Sequence, residues 1–418
     1  MVPPAAHRIC RAATPRSRRW RVPCLLAVAI AVALVRASPP QQQVTPPALP
    51  DLRVPPPAPL ATPDLAPTRP GGPALPWEVA LDTTLSASPA GPPVLAADLV
   101  IVPLRTGHLS AVALADGSAR WTTTLSLPAL LAATAVLVIA AEPDSLSARH
   151  VTTGDIAWRV PTNGAASAVA VDGAGLIVAG FASGALLAVR HDTGAAAWRV
   201  EVAAPVTRVC ATATGFVAGL SSGAVVAIGP AGAVRWARQL SGSVSALGAT
   251  VGAVFAGSTD NFLYKLKDDR GEVDWRWRTG GDLAGTPIVA GRRVYFVSLD
   301  TVLRALDAGQ GAQQWKRGLA SRPMGGPLLL GDVLIVTGVG PVIEGFALSN
   351  GRPLGRLEQA RELVAPVAAW RDGTGATSLV ALSRTGQLQR YVAKAPAPAG
   401  PPPVSAPPPG PAPPPAPR

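Results

Sequence analysis

Ala305-Leu-Asp-Ala-Gly-Gln-Gly-Ala-Gln-Gln-Trp315 leads from a short apolar run, through a turn with glycine four residues before its end, to a tryptophan. The same order returns in Ala111-Val-Ala-Leu-Ala-Asp-Gly-Ser-Ala-Arg-Trp121 and in Ala188-Val-Arg-His-Asp-Thr-Gly-Ala-Ala-Ala-Trp198. Followed outward, it becomes three columns. Trp77, Trp121, Trp158, Trp198, Trp236, Trp275 and Trp315 stand 44, 37, 40, 38, 39 and 40 residues apart. Gly117, Gly154, Gly194, Gly232, Gly271 and Gly311 precede six of them by four residues, and Gly351 continues the column into a repeat where Gly355 replaces the tryptophan. Leu109, Leu146, Leu186, Val225, Leu263, Leu303, Ile343 and Leu388 form an aliphatic column of the same period.

A period near 40 fits a propeller blade or a pair of packed helices. Local chemistry decides between them. Units contain runs such as Leu176-Ile-Val-Ala179, Val294-Tyr-Phe-Val297 and Val333-Leu-Ile-Val336, bounded by Asp-Gly, Thr-Gly and Ser-Gly turns. Such runs are strand signals, whereas helices would carry several interior glycines at about 1 kcal/mol each. The pattern predicts an all-β, eight-bladed β-propeller of four-stranded antiparallel blades, with seven blades as the alternative count. Trp77 precedes the first aliphatic entry, and nothing resembling a turn glycine and tryptophan follows Leu388. The segment Pro76-Trp-Glu-Val-Ala-Leu81 is therefore expected to supply the outer strand of the last blade, closing the ring and removing an exposed edge.

Composition separates this middle from the ends. The 46 prolines crowd into 39–76 and 396–417, leaving residues 76–393 as the folded part, with a proline-rich linker over 38–75 and a proline-rich, disordered tail over 394–418. Residues 1–37 read as a secretory signal peptide: a basic stretch up to Arg21, the apolar run Cys24–Val35, and cleavage after Ala37. The alternative is an uncleaved anchor holding the chain near a membrane. Seven of the 37 Lys and Arg residues lie in that leader, so the remainder carries 30 basic against 25 acidic residues. The net charge of +12 thus falls to about +5, and a nucleic-acid role is not expected. Cys210 alone remains after the leader, which excludes an intramolecular disulfide.

With these residues in view, the repeat Ala-Leu-Asp-x-x-Thr-Gly-x-x-x-Trp resembles the tryptophan-docking repeat of the pyrroloquinoline-quinone-like, or quinoprotein-like, propellers. The resemblance covers about 76–393 and is carried well by six units. It implies one of two branches. Quinone-dependent dehydrogenases add a disulfide or cofactor-stacking residues and a calcium site with a catalytic aspartate, and a single mature cysteine departs from the disulfide-bearing members. The similarity to the BamB-type branch implies a non-enzymatic periplasmic scaffold binding envelope proteins, although a lipid-anchor cysteine in the expected place is missing. The reading adopted is the second: an exported, monomeric interaction propeller with no catalytic residues, cofactor or metal. The alternatives are a quinone-dependent dehydrogenase and the sensing ectodomain of an envelope system.

Candidate site residues follow. The seven tryptophans Trp77 to Trp315 are expected to dock blades on one another, in preference to lining a ligand groove. Trp277 and Trp370 stand outside the column. Arg292, Arg293, Arg304, Lys316, Arg317 and Arg322 gather in the sixth and seventh repeats and form a candidate surface for an acidic partner. Asp116, Asp155, Asp192, Asp268, Asp269 and Asp307 are read as turn residues bonding their own backbone. His108, His150 and His191 occupy comparable strand regions of three repeats with no acid or cysteine beside them, so they are read as exposed strand histidines, not metal ligands. Ser221-Ser222-Gly223 reads as turn chemistry.

Overall fold

Apolar runs of about six residues, each stopped by a glycine or aspartate, cannot satisfy their backbone groups along a helix and do so between neighbouring strands. The computed structural model describes Leu75 and residues 77–373 and 375–393. The segments read as signal peptide and tail, and all of the stretch read as linker except Leu75, lie outside these. Among the described residues, thirty-two strands pair antiparallel into eight four-stranded sheets arranged as a propeller.

Blade 1 covers 94–124, blade 2 130–161, blade 3 166–201 and blade 4 206–239. Blade 5 covers 244–278, blade 6 288–318, blade 7 328–358, and blade 8 joins 368–393 to the strand Trp77–Thr84. In blades 1 to 7 the first, second, third and outer strands follow chain order. In blade 8 the outer strand comes from the other end of the chain, Trp77–Thr84 pairing with Gln387–Ala393. The expected closure is present.

The core is divided among the eight seams between blades. Strand side chains alternate between faces, so each central strand serves two seams. Leu99 and Ile101 enter a cluster with blade 2, while Val100, Val102 and Leu104 enter one with blade 8. All eight members of the aliphatic column lie on third strands and are essentially inaccessible, from 0% to 1% exposed. Burial on both faces explains why these strands read as continuous apolar runs and not as alternating ones.

Candidate functional site

Every blade has the same irregularity, a bulge one residue before the position that the tryptophans occupy on the outer strand. A bulge bends its strand and re-aims the following side chain. Here it aims the indole at the turn glycine of the next blade. A Cβ on Gly154 would lie 2.6 Å from Trp121, one on Gly194 2.7 Å from Trp158, and one on Gly271 2.3 Å from Trp236. Gly232, Gly311 and Gly351 stand equally close to Trp198, Trp275 and Trp315. Five of the indole N–H groups also donate to a backbone carbonyl of that next blade: Trp121 to Val151, Trp158 to His191, Trp198 to Pro230, Trp236 to Asp268 and Trp275 to Ala308, at 2.6–3.2 Å. Burying roughly 150–250 Å² of such a ring contributes a gross ~4–6 kcal/mol per seam before entropy is subtracted.

Trp77 does not share this placement. It pairs with Ala393 at the start of its strand, and the residue in the tryptophan position is Leu81, opposite Arg390 and directly after the bulge. Leu81 and Thr83 meet Gly117 of blade 1. The weaker apolar contact at this seam is supplemented from the first strand of blade 8, where the Trp370 indole donates to the Ala97 carbonyl at 3.0 Å and Arg390 covers its ring at 5.3 Å. Trp77 instead packs at the seam between blades 7 and 8, beside Leu75. Leu75, within the stretch read as linker, is 3% exposed, and its N–H donates to the Arg356 carbonyl. It lies over Gly345, the cross-strand partner of Gly355. The space left by the missing tryptophan of blade 7 is thus filled from the N-terminal segment.

The six basic candidates do not form one surface. Arg304 is nearly buried and clamped on Asp300 at 2.6 Å. Burial raises the Asp300 pKa, but hydrogen bonds from Arg304 and Ser298, the Arg304 charge and the Gly280 N–H outweigh it and hold the carboxyl below its ordinary value. Arg317 donates to the Gly351 and Asn350 carbonyls of blade 7, a strut equivalent to Arg238 on Gly271 two blades earlier in the pattern of tryptophan plus two. Lys316 faces Arg304 across the outer pair. Exposed Arg322 lies in the loop entering blade 7, at the opposite end of the strands from Arg292 in the first turn of blade 6 and Arg293 at the start of its second strand. Arg292 and Arg293 are the two that share a site.

The acids and histidines also sort by structure. Asp116 accepts from the Ser118 N–H and hydroxyl, and Asp307 from the Gly309 and Gln310 N–H groups, as turn residues do. Asp268 differs: it is 3% exposed and is reached across the seam by Thr214 and Arg235 of blade 4. Glu142, Asp300 and Glu344 each accept the backbone N–H that follows the preceding blade, from Ser126, Gly280 and Ala320. Buried Glu142 also meets Ser147 and Arg149, and burial pulls the Arg149 pKa down. His108 opens a third strand whereas His150 closes one and His191 follows one, so the three are not comparable positions and lie at different ends of their blades. Burial and the Asp268 charge push the Cys210 thiol up to about 12, which leaves it protonated at neutral pH. Gly219-Leu-Ser221-Ser-Gly223 matches a Gly-x-Ser-x-Gly spacing but forms a β-hairpin turn in blade 4, without the helix that a nucleophile elbow requires. Among the described residues no group of three or more His, Cys, Asp or Glu converges as a metal site.

Among the six seams that carry a column tryptophan, one departs from the rest. Between blades 6 and 7 the carbonyl equivalent to the other indole acceptors is Leu348 O, but the Tyr295 hydroxyl occupies it at 3.2 Å. The buried Trp315 indole N–H is left without a partner. Beside it opens a cleft of about 530 Å³ lined by Arg292, Arg293, Tyr295, Asp332 and Ser349 with Ala290, Ala347 and Leu348. Sequence reading placed the two arginines in a broader patch and missed the cleft.

The fold and these seams can be set beside known proteins. Comparison with curated protein sequences finds no match. Among solved structures the chain is similar to the computationally designed Ika8 protein, with a TM-score of 0.62 and 13% identity over 74% of this chain and 100% of that one. It is also similar to BamB from Moraxella catarrhalis, with a TM-score of 0.51 and 22% identity over 63% of this chain and 93% of that one. The family model described as outer membrane protein assembly factor BamB matches residues 69–219 and 221–387, which together span most of the chain. With its repeat, its eight blades and that match in agreement, the chain belongs to the BamB-type family of pyrroloquinoline-quinone-like propellers.

Proposed function

We propose that this protein is a non-enzymatic scaffold of the cell envelope, exported by its N-terminal segment, that binds one or more envelope proteins through propeller loops. The observation that carries the reading is the use made of its chemically capable side chains. The buried carboxylates Glu142 and Glu344 and the partly buried Asp300 hold backbone N–H groups across seams, and the tryptophans and Arg317 hold neighbouring blades. What remains on the loops is recognition chemistry, and loops on a rigid scaffold are where binding concentrates. Membership of the BamB-type family supports the same reading.

The test is cross-linking in intact cells followed by affinity purification of the full chain. A reproducible envelope protein recovered with it, and lost when exposed loop residues are changed, is the expected result. Addition of pyrroloquinoline quinone and calcium with an alcohol or sugar distinguishes the enzymatic reading, since sustained dye reduction would overturn the scaffold. Sequencing of the secreted form tests export, with Ser38 expected as the first residue.

A further inference from the structure

We propose that the cleft between blades 6 and 7 is a binding site for a carboxylate group, presented by an acidic side chain or a chain terminus. Three features of this seam converge on it. First, in blades 1, 2, 3 and 7 the second strand begins with an apolar residue, Leu99, Leu137, Leu176 or Val333, whereas blade 6 begins with Arg293. That guanidinium crosses the seam and donates to the Ser349 carbonyl at 2.6 Å, which holds it at the cleft wall. Second, exposed Arg292 beside it makes no ion pair or side-chain hydrogen bond among the described residues, although it lines the same cleft. Third, the regular indole bond is given up here, Tyr295 taking the Leu348 carbonyl that Trp315 would use, so blade 6 reaches blade 7 through polar arms around an opening.

The charge of the site selects the ligand. Two guanidinium groups and the Asp332 carboxylate leave one net positive charge, which suits a monoanionic carboxylate better than a phosphate of nearly two charges. A planar guanidinium pairs a carboxylate through two parallel hydrogen bonds, and Arg293 is already oriented by Ser349. Ala290, Ala347 and Leu348 give the cleft an apolar floor for the atoms that carry the acid. As a recognition point for an acidic partner segment the site rests on the scaffold reading; as a carboxylate site it does not.

The experiment is isothermal titration of the full chain with acetate, with an N-acetylated, C-terminally amidated pentapeptide containing one glutamate, and with inorganic phosphate. Saturable carboxylate binding is expected, weakened by salt. Arg292→Gln should reduce it about tenfold without altering the melting temperature, because that side chain supports nothing else. Asp332→Asn should strengthen it severalfold, an outcome a purely structural role would not produce. Absence of saturable binding by either carboxylate, binding indifferent to both substitutions, or tighter binding of phosphate would each overturn the assignment. Binding of acetate or peptide with the stated responses supports the site whether or not cross-linking recovers a partner, so the two readings fail separately.

Discussion

Gly271→Ala tests whether the indoles are seated on the turn glycines, and Gly252→Ala supplies its control. Both glycines lie in turns of blade 5 with left-handed backbone, φ +67° and +77°. An alanine in that region costs about 1–2 kcal/mol at either position. The surroundings differ: a Cβ on Gly252 meets nothing within 4 Å, whereas one on Gly271 comes within 2.3 Å of a Trp236 ring carbon. That ring cannot swing aside, since its N–H is bonded to the Asp268 carbonyl at 2.6 Å and its body is packed in the seam with blade 5. Overpacking of this kind adds about 1–3 kcal/mol. Urea unfolding followed by circular dichroism should therefore show a midpoint loss for Gly271→Ala equivalent to about 2–5 kcal/mol, against about 1–2 kcal/mol for Gly252→Ala, with the slope unchanged. Equal losses in the two variants would refute the seating.

Other outcomes follow from the remaining seams. Leu75→Ala should cost about 2–4 kcal/mol in the same urea assay, and Trp77→Ala less, because Leu75 is the side chain over Gly345. Trp236→Phe should destabilise by about 1 kcal/mol more than Trp315→Phe, since only the first loses an indole hydrogen bond. The Asp300 carboxyl is held below its ordinary value in the folded state, so its contribution to stability is complete above the unfolded value of about 4 and is lost as pH falls through the lower folded one. Melting temperatures recorded from pH 6 down to pH 2 should fall less steeply for Asp300→Asn, which starts lower at neutral pH.

The aliphatic column was legible because third strands are buried on both sides and tolerate little besides Leu, Ile and Val there. Blade closure was legible for the complementary reason that an outer strand was missing at one end and spare at the other. The identity of the closing residue was not. Trp77 stands 44 residues before Trp121, while Leu81 stands 40 before it, so the regular interval already pointed to Leu81. A tryptophan attracts attention that register does not. The role of Leu75 depends on a contact with blade 7 far along the chain, which no local pattern encodes. The basic cluster dissolved because turns at opposite ends of a blade are close in sequence, and because Arg304 and Arg317 meet partners already present in neighbouring turns. The cleft was invisible for the same reason: it arises from Tyr295 displacing an indole from a carbonyl of another blade.

Blade 8 also sets a clock on assembly. Within blades 1 to 7, an outer strand meets its third strand about ten residues away, as Trp121 meets Ala111. In blade 8 the corresponding bonds, such as Gln387 to Asp82, span 305 residues. Closing the longer loop costs roughly 3 kcal/mol more in chain entropy, so local sheets can form as the chain is synthesised while the ring waits for its last strand. Until then the apolar flanks of blades 7 and 1 have no cover, and the eight-residue strand Trp77–Thr84 must be kept from pairing elsewhere. A nascent chain halted before Gln387 is therefore the form of this protein most exposed to misassembly.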